Sequence, residues 1–185
     1  MIRRLLAHSS AHSSAHLSGF ALVEVMVTIV LLVIGLFGLA ALQTKISSIQ
    51  MEGYQRAQAL LLAQDMADRM AARKAAAGSY VGDNFGTGNE QNCTSLTGPA
   101  LDTCNWGNAI RGASEKIGAD RVGTLIGGRG CIINPAAREY AVVVVWQGLV
   151  STTAPGVSCG ANGYGAETLR RALVVPIRFA DLVAS

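Results

Sequence analysis

The strongest constraint on how this chain folds is one stretch, residues 20–42, in which Glu24 and Thr28 are the only polar side chains. Its 23 residues are enough to cross a hydrocarbon core of about 30 Å at a rise of about 1.5 Å per residue. Arg3 and Arg4 precede it, and the bias of basic residues toward the cytoplasm puts its N-terminal side there. Everything from Lys45 onward is then expected outside. Glu24 is out of place in such a run, because an ionised side chain in lipid costs about 2.5 kcal/mol or more on insertion scales.

The helical pattern continues past the apolar run. No proline occurs between Phe20 and Ala77, and residues 43–77 are rich in Ala, Leu, Met, Gln and Arg. Ile46, Ile49, Gly53, Ala57, Leu60, Ala63, Ala67 and Met70 recur at spacings of three and four, which predicts one stripe of an amphipathic helix. Lys45, Glu52, Asp65 and Arg69 fall off that stripe. Arg73 and Lys74 suit a last turn, and Gly78 suits the position just past it. The reading is a single helix of about 58 residues, about 87 Å long. Its first half, residues 20–42, spans a membrane or enters an assembly, and residues 43–77 are its amphipathic continuation. A domain this small cannot cover such a helix, so the first half belongs in lipid or among other copies.

Residues 78–185 read as an external globular region. Residues 78–108 are loop-like, and a short helix is expected near residues 109–117. The firmest strand is EYAVVVVWQ, residues 139–147, whose β-branched run suits a strand covered on both faces. Residues 168–179 form a second candidate, with Pro176 marking an edge or an end. Residues 125–133 form a weaker third, interrupted by Gly127, Gly128 and Gly130. The expected fold class is therefore α+β: a long N-terminal helix packed on a small antiparallel sheet, with disulfide-bounded loops. All four cysteines, Cys93, Cys104, Cys131 and Cys159, follow the apolar run, and an even count there predicts disulfides in an oxidising compartment. Three pairings are open to four cysteines. Cys93–Cys104 with Cys131–Cys159 is favoured because each closes a local loop rich in Gly and Asn.

Chemistry-bearing constellations are sparse. The repeat AHSSAHSSAH places His8, His12 and His16 four apart, a spacing that shares a helix face, yet its Ser-rich composition reads as a low-complexity tail within a polar leader, residues 1–19. Zinc is disfavoured because no C-x-x-C occurs and no histidine follows His16. GGRG at residues 127–130 lacks the Lys-Ser/Thr of a phosphate loop and reads as a turn. Trp106 and Trp146 suit a core better than a stacking platform. Asp65 with Asp68, and Glu115 with Asp120, have no nucleophile or histidine beside them, so no enzyme and no cofactor is expected. The net charge is +3; without Arg3 and Arg4 the chain holds 13 basic and 12 acidic residues, which is no nucleic-acid footprint.

Gly19-Phe20-Ala21-Leu22-Val23-Glu24, after a short basic leader and before a long apolar helix, resembles the class III signal of type IV pilins and type II secretion pseudopilins. EYAVVVVWQG followed by LRRALVVPIRF looks like the PilV group of minor pilins. The resemblance implies cleavage after Gly19 by prepilin peptidase and N-methylation of Phe20. It implies that Glu24 pairs with the Phe20 amine of a neighbouring chain and fixes axial register in a fibre. Implied partners are prepilin peptidase, other major and minor pilins, an inner-membrane assembly platform, and membrane lipid before assembly. The implied location is the inner membrane, with the C-terminal region periplasmic, and then an extracellular pilus. Two departures are visible: Ala21 replaces the more usual Thr or Ser, and no proline lies some twenty residues into the mature chain. The second favours a minor subunit over the bulk fibre protein. A minor pseudopilin of a type II secretion system is the near alternative, and a pilus-displayed adhesive or DNA-binding subunit the more distant one.

Overall fold

The structure is a computed structural model and describes residues 22–112, 116–117, 120–121 and 125–180. The chain divides into two compact units, residues 1–44 and residues 45–185, and helix α1, Leu22–Ala72, contributes to both. In the first unit every described residue is exposed. Leucine is its commonest residue and no proline interrupts it, so the backbone ladder runs unbroken despite the many valines, whose helix propensity is lower. Its hydroxyls are satisfied within the helix: Thr28 Oγ1 donates to the Val25 carbonyl at 2.9 Å and Thr44 Oγ1 to the Ala41 carbonyl at 2.9 Å.

In the second unit α1 is followed by a 3-10 turn, Lys74–Tyr80, then β1 (Gly82–Phe85), α2 (Gly98–Ile110), β2 (Lys116–Ile117), β3 (Asp120–Arg121), β4 (Arg129–Ala136) and β5 (Glu139–Gln147). A short 3-10 turn, Glu167–Leu169, leads into β6 (Arg170–Arg178). β2 pairs with β3; the other four strands form one antiparallel sheet in the order β1-β4-β5-β6. The β4–β5 hairpin turns at Ala137 and Arg138, where Arg138 takes φ +60° and Asn134 Nδ2 donates to the carbonyls of Ala136 and Glu139, both at 2.8 Å.

β5 is the centre of the unit. Ala141 to Trp146 are all buried, and their alternation divides the core in two. Val142, Val144 and Trp146 meet Ala59, Ala63, Met66 and Met70 of α1 together with Trp106 and Ile110 of α2. Val143 and Val145 meet Cys131, Cys159 and Tyr164 on the opposite face. The strand is therefore covered on both faces, as its β-branched run predicts. β6 forms one edge of the sheet, and its Pro176 stands opposite Ala141 there.

Three expectations need correction. α1 ends at Ala72, not near residue 77: Arg73 leaves the helical region (φ −122°, ψ 44°), and its N–H is shared between the Arg69 and Met70 carbonyls, tightening the chain into the 3-10 turn that contains Gly78. The short helix lies at Gly98–Ile110, not at residues 109–117. Pro99 starts it, and Asp102, Trp106 and Ile110, four apart, form its buried face. The α1 stripe is also out of phase. Ala63, Ala67 and Met70 do face the core, but Ile46, Ile49, Gly53, Ala57 and Leu60 are exposed. The packed face instead runs through Gln55, Ala59, Ala63, Met66 and Met70. Two fully buried alanines let the helix backbone lie close to the valines of β5, which long side chains there would prevent.

The second face is closed by the loop between β5 and β6. Cys159 is bonded to Cys131 of β4, Tyr164 Oη donates to the Gly127 carbonyl at 2.8 Å, and the Arg129 guanidinium lies 5.2 Å from the Tyr164 ring centre. Burial raises the Tyr164 phenol to about 12, against a smaller opposing pull from Arg129 and Arg170. Because the folded value lies above the ordinary value near 10, this contribution is fully present below about pH 10 and is lost as pH rises toward 12. Two pH units correspond to roughly 2–3 kcal/mol at the limit. Unfolding midpoints followed from pH 8 upward should fall steeply in that window for the wild type and more gently for Tyr164→Phe. The variant starts lower at neutral pH by about 1 kcal/mol for the lost hydrogen bond. Parallel pH profiles for the two proteins would contradict the assignment.

Candidate functional site

The first candidate is the exposed stretch of α1. Fifteen large apolar side chains between Leu22 and Leu42 are solvent-facing, from Leu22 at 76% to Val33 at 44%. At 1.5–3 kcal/mol for each side chain kept from water, leaving them hydrated forgoes roughly 20 kcal/mol or more. The stretch is long and apolar enough to cross a bilayer. Glu24 lies in the first turn of α1, exposed, where a helix terminus favours a negative charge. Gly19 and Phe20, the expected cleavage and methylation positions, lie outside the described residues, as do His8, His12, His16 and Glu115.

The second unit is fastened by polar nodes that the sequence reading passed over. Asp102 of α2 accepts from the Tyr80 hydroxyl at 2.6 Å, pairs with Arg73, and lies 3.6 Å from Arg69 Nη1. The Tyr80 hydroxyl and then Asp102 hold the Arg73 guanidinium above its ordinary value, while burial and then Asp102 raise Tyr80. This node joins the end of α1 to α2, and Trp106 Nε1 adds a bond to the Leu62 carbonyl at 2.8 Å. Arg170, 3% exposed, donates to the carbonyls of Val157 (2.7 Å), Cys159 (2.9 Å) and Pro155 (3.2 Å) and pairs with Glu167. Glu167 is held below its ordinary value, first by the Asn162 backbone N–H and then by Arg170. Glu52 accepts from the Leu149 N–H at 2.7 Å and pairs with Arg171 of β6 at 3.3 Å. The spacing of Asp102, Trp106 and Ile110 was the available signal for the first node. Nothing local signalled the others, whose partners come from distant parts of the chain.

The remaining singled-out residues are placed as follows. Cys93 is bonded to Cys104 and Cys131 to Cys159, with Cα separations of 5.8 and 6.0 Å. The first bridge ties the loop before α2 to the helix itself, beside Asn108, whose amide donates to the Gln91 carbonyl at 2.8 Å. Trp106 and Trp146 are core residues. Asp65 is paired with Arg69 at 3.0 Å, and Asp68 is exposed on α1. Of GGRG, Gly127 (φ +60°) lies in a turn with Gly128 after it, and Arg129 and Gly130 already open strand β4, so no helix follows. Among the described residues, no group of three or more His, Cys, Asp or Glu is placed to hold a metal ion.

The molecule is thus an α+β unit with two disulfides, whose leading helix carries a stretch apolar enough for a bilayer. No protein-family model, no curated protein and no solved structure matches the chain.

Proposed function

We propose that this chain is a minor pilin of the PilV type, a subunit that takes part in the assembly, initiation or modification of a type IV pilus. The observation that carries the reading is the conjunction at the start of α1. A glycine-phenylalanine step with a glutamate four residues later opens an exposed apolar stretch, residues 22–42 of α1, and that helix leads to a disulfide-bonded external unit. An apolar surface of that size needs either lipid or other apolar helices against it. A subunit stored in the membrane and later transferred into a helical bundle has both in turn. Glu24 then has a role in each state. At the bilayer edge it reaches the headgroup region. In a bundle it meets the N-methylated amine of Phe20 from a neighbouring chain. On this reading the N-terminus is cytoplasmic before processing, the external unit is periplasmic, and no catalytic group or cofactor is involved.

Intact-mass measurement of protein recovered from membranes and from sheared fibres tests the reading. The expected species begins at Phe20 and carries one added methyl group. Gly19→Val places a branched side chain at the scissile bond and should leave residues 1–19 attached, with the protein held in the membrane. Mature-sized protein from Gly19→Val, or a wild-type chain that keeps its leader, would remove the proposal. Shortening the histidine repeat while keeping Arg3 and Arg4 should leave the mature mass unchanged.

A further inference from the structure

The exposed part of the α1 stripe is not scattered. Ile49, Gly53 and Leu60 line one side of an open groove of about 660 Å³, with Glu52 and Arg56 beside them and β6 from Arg171 to Val175 as the other side. A Cβ built on Gly53 would meet nothing within 4 Å, so the groove is roomy at its middle.

β6 is an edge, and its register shows which of its backbone groups are unused. The Gly148 N–H donates to the Leu169 carbonyl (2.7 Å) and the Phe179 N–H to the Arg138 carbonyl (3.1 Å), one flanking each end of the β5–β6 ladder in a common register. Antiparallel pairing alternates, so odd-numbered residues of β6 bond to β5 and even-numbered ones turn their N–H and C=O outward. Ala172 and Val174 therefore present both groups at the edge, while Pro176 presents only a carbonyl. The chain itself uses this edge once, just before β6, where the Thr152 N–H donates to the Thr168 carbonyl at 2.8 Å. Charge in the groove is not balanced. Glu52 is taken by Arg171 at 3.3 Å, whereas Arg56 has no ion pair among the described residues.

We propose that this groove docks an extended, acidic strand of a partner protein, which adds to the sheet along Ala172 and Val174. The partner's alternate apolar side chains rest on Ile49, Gly53 and Leu60, and its carboxylate meets Arg56. Main-chain bonds supply affinity in such strand addition and side-chain pockets supply selectivity. A second copy of this chain is the poorer occupant: its own β6 brings Pro176, which has no N–H to give, and its groove brings another unbalanced Arg56. The inference concerns the external unit alone and stands whether or not the chain enters a fibre.

The test uses full-length protein in detergent micelles and a short capped peptide of alternating Val and Thr with a central Asp, labelled for fluorescence anisotropy. The peptide should bind, and binding should slow amide exchange at Ala172 and Val174. The same peptide with its alternate amides N-methylated should not bind, an outcome that requires no change to the protein. Val174→Pro removes an outward N–H and spares the ladder to β5; it should weaken binding about tenfold, as for one lost hydrogen bond. Arg56→Glu should weaken the Asp peptide and restore binding of a Lys peptide. Failure of the parent peptide to bind, equal binding of the N-methylated peptide, or binding indifferent to both Val174→Pro and Arg56→Glu would each overturn the proposal.

Discussion

Gly130→Leu is expected to prevent the second unit, residues 45–185, from reaching its folded, disulfide-bonded state, and Gly130→Ala to destabilise it by about 3 kcal/mol, near the upper end for overpacking a core. Gly130 lies on β4 beneath the Trp106 ring, and a Cβ there would stand 2.7 Å from Ile110 Cδ1 and closer still to the indole. Neither neighbour has room to move. Trp106 is fully buried and held by its bond to the Leu62 carbonyl, and Ile110 is 1% exposed. The requirement is for space and not for backbone freedom, since Gly130 is not among the glycines with positive φ. For a domain with a stability of about 5–15 kcal/mol, the leucine side chain asks for more than local adjustment can supply. Denaturant unfolding followed by tryptophan fluorescence measures this, because both tryptophans are buried. Gly156→Ala, whose Cβ meets nothing within 4 Å, is the matched control and should stay within about 0.5 kcal/mol of wild type. A Gly130→Ala protein as stable as that control would show that α2 is not seated against β4 as described.

The second large effect concerns Glu24. Glu24→Ala makes α1 more apolar, so membrane insertion should be at least as good as wild type, and the leader should still be removed. If Glu24 pairs with the Phe20 amine of a neighbour, the same protein should be nearly absent from fibres. Glu24→Gln should fail in the same way, because it keeps the shape of the side chain and loses the charge that a cationic amine requires. The quantity to measure is the ratio of subunit in sheared fibres to subunit in membranes, beside wild type, with Phe20 methylation read from the same samples by mass. An unchanged ratio for both substitutions would end the register role and leave Glu24 a recognition residue for processing. Failure of both variants to lose the leader would instead place the defect before assembly.

Residues 139–147 were legible as a strand because six consecutive buried positions, mostly valine, leave no helical face and no polar face. The apolar stretch of α1 was legible for a similar reason: a property that depends on composition over some twenty residues survives any tertiary arrangement. Pro176 pointed to an edge because proline has no N–H to give a neighbouring strand, and on β6 that position turns away from β5 toward the open side of the sheet. Local loop closure made Cys93 with Cys104 and Cys131 with Cys159 the economical pairing, but whether those thiols meet depends on where α2 and the β5–β6 loop lie.

Tertiary structure alone decided the rest. Residues 98–110 carry Gly107, Asn105 and Asn108, weak helix formers, and become α2 because Trp106 fits over Gly130, Asp102 meets Tyr80 and Arg73, and Cys104 is tied to Cys93. The phase of α1 on the sheet was likewise out of reach. Periodicity selected the most apolar stripe, whereas the sheet accepts the face with Ala59 and Ala63, because helix-to-sheet distance is set by the smallest side chains between the two backbones. The stripe left over, Ile49, Gly53 and Leu60, became a wall of an open groove. Sequence determined that the chain has a bilayer-length apolar helix and a doubly covered central strand, since both follow from runs of like residues. Which faces meet, and which remain exposed, required partners 40 to 120 residues apart, such as Trp106 with Leu62 and Arg171 with Glu52 (separations of 44 and 119), and no local pattern carries that information.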